Sequence, residues 1–216
     1  MSADVKKKVK DIIKEKSKEL GFPGFQKKIT SSGCKIYMDN LEIGDIALEY
    51  VSSKFSEHGS LFGVYAGCRA VGGKLASILE KMELSYPRFG DMPGYFSQTS
   101  LNERVNNFGE DRGGHVSFFE KDDLEEKCSK IIEKLNSIYV PRVMNFALGK
   151  IEVIDDILES PMDYAYPMAS IIVACYLNDK KELVEQSIKN AKSKKLYDAG
   201  SSRVQEILEK VQKVLG

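Results

Sequence analysis

The sequence predicts an α+β protein: an antiparallel sheet of four to five strands packed by helices, followed by an all-helical C-terminal section. Three observations predict it. Apolar residues recur mostly with period two over residues 25–70. Over residues 121–215 they recur mostly with the helical period of about 3.6 residues. Ala169–Leu177 is apolar nearly all round, which places that segment at the centre of a helical half.

Residues 3–20 read as an amphipathic helix. Ser2 is its expected cap, Val5, Val9, Ile12, Ile13 and Leu20 form its apolar face, and Lys6, Lys7, Lys8, Lys10 and Lys14 cover its wet side. Gly21 and Phe22-Pro23 are expected to end it, because glycine takes the left-handed cap and proline cannot continue a helix. Phe25–Thr30 and Cys34–Asp39 flank Ser31-Ser32-Gly33 and read as a hairpin, with Gly33 available for positive φ. Cys34, Ile36 and Met38 share a face of the second strand. Ile43–Val51 follows, with Ile46, Leu48 and Tyr50 on one side and Ala47, Glu49 and Val51 on the other. Leu61–Ala70 is the fourth strand, and its Phe62, Val64, Ala66 and Cys68 are expected in the core. Gly63 and Gly67 on its other face mark a bulge or the close approach of another backbone.

Gly72-Gly73 opens a short helix over 74–82. Residues 84–112 break the pattern: three of the six arginines stand there (Arg88, Arg104, Arg112), with Tyr86, Phe89, Tyr95, Phe96 and Phe108 amid Pro and Gly. A stretch this long between elements is functional or disordered, and its aromatics argue against plain disorder. A short helix over Ser100–Asn106 is expected within it, and a short strand over His115–Phe119 after it. Asp122 and Glu125 read as a capping-box start for a helix carrying Leu124, Cys128, Ile131, Ile132, Leu135 and Ile138, which ends before Pro141. Helices are then expected over 143–158, 162–177, 179–195 and 202–215. The last has a stripe of Val204, Ile207, Leu208, Val211, Val214 and Leu215 and a capping box of Ser202 and Gln205. The reading divides the chain into an α+β part, 1–144, and a helical part, 145–216, packed as one unit because no Pro/Gly/Ser-rich tether separates them.

With 42% hydrophobic and 30% charged residues, the composition is that of a globular chain. Thirty-two basic residues cancel 32 acidic ones, so no overall field favours nucleic acid or an anionic membrane. The charges are nevertheless sorted: residues 1–30 carry 9 Lys/Arg against 4 Asp/Glu, and residues 121–180 carry 7 against 11. Solvated helix faces account for most of this sorting. The Lys-rich N-terminus lacks an apolar signal core, and no apolar run approaches the roughly 20 residues that spanning requires. Cys34, Cys68, Cys128 and Cys175 are widely spaced in apolar segments and read as reduced, buried thiols of a cytoplasmic protein.

No complete catalytic, metal or nucleotide motif stands in the chain. Gly67-Cys68-Arg69-Ala70-Val71-Gly72-Gly73-Lys74-Leu75 lies between a strand and a helix, yet it misses the phosphate-loop pattern twice in either register. It reads as a strand-to-helix turn. His58 and His115 are loop or strand-edge residues, and no ligand spacing accompanies them. Asp39, Glu42, Asp45, Glu49 and Glu57 read as turn and outward strand positions; acid–base chemistry and an acidic face for a basic partner are the alternatives. No cofactor, metal or catalytic residue is therefore expected. The segment rich in arginine and aromatics has the composition of an interface, with Arg88, Phe89, Tyr95, Phe96, Arg104, Phe108 and Arg112 as its partner-binding candidates; a loop that packs its own aromatics onto the sheet is the alternative.

An N-terminal helix ends in Leu20-Gly21-Phe22, and a strand and hairpin lead to Leu61-Phe62-Gly63-Val64-Tyr65-Ala66-Gly67. After the variable stretch come the short strand His115–Phe119 and a helix closing on Ile138-Tyr139-Val140-Pro141. Over residues 5–145 this layout resembles an uncharacterised bacterial α+β domain family associated with immunity proteins of polymorphic toxin systems. The chain departs from that group in having no tryptophan and in adding the C-terminal helices. The resemblance implies a non-enzymatic protein that binds another protein, a toxin domain, and blocks it by stoichiometric occlusion. It carries no functional residue over. No nucleic-acid or membrane partner is expected. The competing classes are a small enzyme with a carboxylate or His115 site on the sheet face, and a helical adaptor working through residues 145–216.

Overall fold

The computed structural model describes residues 2–30, 32–52, 54, 58–85 and 116–216. Strands β1 (Gln26–Thr30), β2 (Gly33–Met38), β3 (Leu41–Ser52), β4 (Phe62–Ala70) and β5 (Val116–Phe118) form one antiparallel sheet in that order. The helices are α1 (Ser2–Lys16), α2 (Lys74–Met82), α3 (Leu124–Lys134), α4 (Val140–Leu148), α5 (Val153–Glu159), α6 (Pro167–Leu177), α7 (Val184–Ser193) and α8 (Ser201–Leu215). This is the predicted α+β fold. Two compact units divide the chain: Met1–Cys68 with Gln98–Pro141, and Arg69–Ser97 with Arg142–Gly216. Helix α2 thus groups with the C-terminal helices. No helix among the described residues is long and apolar enough to cross a membrane.

In the first unit the β1–β2 hairpin closes where Thr30 faces Gly33. Gly33 has φ 131°, a conformation open to glycine alone, and this lets the backbone of Ile46 come close. The β2–β3 turn takes Asp39 and Asn40 at φ 50° and 66°, the left-handed pair that a tight hairpin turn requires. Ile36 faces Gly44 while Tyr37 faces Glu42, so Ile43 is the extra residue of a bulge and is buried despite falling out of phase with Ile46 and Leu48. On β4 the alternation is as read from the sequence: Phe62, Val64, Ala66 and Cys68 are all buried. Phe62 stacks on Phe118 across the β4–β5 pair at 5.1 Å. Burying side chains of this size contributes about 2 kcal/mol each before entropy is counted.

Helix α1 buries Val9 and Ile13 and packs against α3, whose Cys128, Ile131 and Ile132 are buried in turn. The expected stop at Gly21 is corrected. Helix α1 ends at Lys16, a 3₁₀ turn covers Ser17–Glu19, and Gly21 does not take a left-handed conformation. Its N–H instead donates to Asn136 Oδ1 at 2.9 Å, and the positive φ falls on Gly24 at 82°. The α3 cap is corrected by one residue. Asp123 accepts from the Glu126 N–H at 3.1 Å, whereas Asp122 accepts from Phe119 N–H and from Lys127. Pro141 does not end the helical run. A wide π turn over Leu135–Tyr139 bonds the Val140 N–H back to the Leu135 carbonyl. That turn absorbs the missing proline donor, and the chain continues as α4.

In the second unit α6 is buried on every side from Pro167 to Cys175, and α2, α5, α7 and α8 pack on it. The expected helix over 143–158 is two helices, because Gly149 breaks it at φ 64°. The expected 162–177 helix starts as a 3₁₀ turn over Pro161–Asp163, and α6 begins at Pro167. A second 3₁₀ turn, Lys181–Leu183, opens the 179–195 segment. Helix α8 buries Val204, Ile207 and Val211 as the stripe predicts. Its cap is Gly200 with no side-chain bond, in place of the Ser202 capping box.

Candidate functional site

The partner-binding candidates Arg88, Phe89, Tyr95, Phe96, Arg104, Phe108 and Arg112 lie outside the described residues, as do Tyr86, His115 and Glu57. The residues on either side of that segment are described. In the second unit, Ser85 donates its N–H at 3.3 Å and its hydroxyl at 3.0 Å to the Glu206 carboxylate on α8. Lys210, one helical turn further, donates to Glu206 at 2.9 Å and to the Glu83 carbonyl. The Lys210 ammonium, with Ser85, holds the Glu206 carboxyl below its usual range. In the first unit, the segment's other flank is Val116, which pairs with Val64 at the edge strand β5.

Glu42 and Asp45 both act on the Lys35 ammonium. Glu42 takes the Lys35 ammonium at 2.7 Å, Asp45 is buried opposite Lys35 in the β2–β3 register, and Glu49 accepts from Tyr65 at 2.5 Å. Asp39 serves the turn. His58 is exposed beside Gly59, another glycine with positive φ. Among the described residues no group of His, Cys, Asp and Glu could hold a metal ion. The glycines before α2 serve packing: Gly73 has φ 94°, and a Cβ there would stand 2.3 Å from the Ala147 carbonyl oxygen on α4.

Cys34, Cys68, Cys128 and Cys175 are buried, and none forms a disulfide. Burial pushes the Cys34 thiol up to about 11 and the Cys128 thiol up to about 12, so both stay protonated at neutral pH.

The densest buried polar group escaped the sequence reading. Arg142 on α4 is 5% exposed and donates from Nε to Asp156 Oδ2 at 2.9 Å and from Nη2 to Asp163 Oδ2 at 2.8 Å. The Tyr164 hydroxyl donates to the same Asp156 oxygen. Burial first, and then the Asp156 charge, raise the Tyr164 phenol well above its usual value, which keeps it a donor. One guanidinium therefore ties α4 to α5 and to the 3₁₀ turn before α6. Its surroundings offered a signal, since Arg142 stands alone among Tyr139, Val140, Pro141 and Val143. Its partners are 14 and 21 residues away, where the sequence shows only acidic helix positions.

Asp198 is another buried ionisable residue, with no exposure at all. Both its oxygens stand 3.0 Å from the Met168 N–H, so it caps α6 from another segment of the chain. Burial outweighs these bonds and pushes its carboxyl from 3.8 up to about 6. A carboxyl whose folded value is raised binds its proton more tightly in the native state. Its stabilising contribution is then complete below about 3.8 and is lost as pH rises to about 6. Wild type should accordingly gain on the order of 2–3 kcal/mol relative to Asp198→Asn as pH falls from 7 toward 4. Urea unfolding of both proteins across that range checks it, and a constant difference would refute the raised value.

No protein-family model matches the chain, no curated protein matches it, and no solved structure matches it.

Proposed function

We propose that the chain is a non-enzymatic protein-binding protein that neutralises a cognate bacterial toxin by stoichiometric occlusion, as an immunity protein does. The observation that carries this reading is the segment between Ser85 and Val116. It holds half the chain's arginines and a cluster of tyrosine and phenylalanine, the residue types that dominate interface hot spots. Its flanks support the reading: Ser85 is fastened to Glu206, and Val116 is paired into the sheet. The element layout over residues 5–145 adds the toxin-neutralising class.

Affinity purification of the tagged chain from its native host, with mass spectrometry of what co-elutes, tests the reading. One near-stoichiometric protein that is toxic alone and silenced by this chain is the expected result. With that partner in hand, alanine at Arg88, Tyr95, Phe96 and Arg104 together should weaken binding by more than about a hundredfold, since each hot-spot residue contributes over about 1 kcal/mol. Unchanged affinity would remove the segment from the interface.

A further inference from the structure

We infer that Lys28 keeps the free edge of β1 from pairing with a second copy of the chain. Strand β1 ends the sheet. Thr30 faces Gly33 across the hairpin loop, and Lys28 faces Lys35, so Thr30, Lys28 and Gln26 spend their backbone hydrogen bonds on β2. The N–H and C=O groups of Lys27 and Ile29 therefore point outward, and nothing among the described residues bonds to them. Such a row is a ready template for another strand.

The register sets which side chains would meet. A two-fold antiparallel pair of β1 strands places Lys27 of one copy opposite Ile29 of the other, twice, which satisfies all the outward groups. The same pairing puts Lys28 directly opposite Lys28, in the close, non-hydrogen-bonded position where like charges repel. Lys27 adds no comparable charge on that side, since its ammonium is turned back to the carbonyls of Lys18 and Leu20. Lys35, beside Lys28, is neutralised by Glu42. Lys28 is exposed and has no ion-pair partner among the described residues. It is thus the uncompensated charge at the centre of the two-fold register that pairs Lys27 with Ile29.

A charge-swap experiment tests this on the full chain. Wild type and Lys28→Glu should each sediment as monomers, because each opposes like charges in the pair. Their mixture should form a heterodimer roughly tenfold tighter than either homodimer. Lys28→Val should dimerise by itself with rising concentration, and hydrogen exchange should slow at Lys27 and Ile29. Lys8→Val, which removes an exposed α1 lysine, should behave as wild type and controls for net charge. The inference fails if the mixture stays monomeric and Lys28→Val does too. It fails equally if association occurs without protection at Lys27 and Ile29, or if wild type already pairs through this edge.

Discussion

Gly33→Ala is expected to destabilise the chain by roughly 3 kcal/mol or more, a large share of the stability of an ordinary domain. Two separate effects combine. At φ 131° any L side chain is strained, and the new Cβ would stand 2.0 Å from the Ile46 carbonyl oxygen and 2.9 Å from its carbon. Those atoms belong to the backbone of β3, in the middle of the sheet, so they cannot rotate aside as a side chain would. Relief requires the β2–β3 pairing to open at Gly33–Ala47 and Cys34–Ile46, and Cys34 and Ile46 are buried. Other glycines calibrate the effect. Gly24→Ala meets strain at φ 82° with nothing within 4 Å and should cost about 1 kcal/mol. Gly200→Ala meets neither and should be close to neutral. Urea unfolding of the three variants reads the order directly, and a Gly33→Ala protein as stable as Gly24→Ala would sink the account.

Particular elements show what the sequence could and could not reveal. Strand β4 was legible because its core-facing residues keep strict alternation, and α6 because no polar residue interrupts its apolar run except Ser170. The 74–82 helix was legible from the glycines before it. The bulge at Ile43 was not, since Gly44 carries no side chain to show which face it occupies. Pro141 misled for a physical reason: a proline stops an α-helix only if the preceding turn stays narrow, and here it widens. Asp122 and Asp123 are both capping residues; Asp122 is taken by the Phe119 N–H and Lys127, and the α3 cap falls to Asp123. The arginine and aromatic segment is read from composition alone and lies outside the described residues. The Arg142 and Asp198 groups were not legible, because their partners are distant in sequence and carboxylates on helices ordinarily face water.

Arg142→Met should cost about 3–5 kcal/mol, the usual consequence of removing one member of a buried ion group. The guanidinium serves two carboxylates in different directions, with Nε on Asp156 and Nη2 on Asp163. Without it, Asp163, only 5% exposed, loses the guanidinium that stands 2.8 Å from its carboxylate. Lysine would not rescue the site, since one ammonium cannot reproduce a planar fork that reaches two helical segments at once. Removing all the charges together should offset the loss. Arg142→Met combined with Asp156→Asn and Asp163→Asn should recover most of the stability, because a buried ion group exchanged whole for neutral residues is often close to neutral in cost. Urea unfolding of the single and triple variants separates these outcomes. A single variant as stable as wild type, or a triple variant no better than the single one, would show that the guanidinium does not hold α4, α5 and the turn before α6 together.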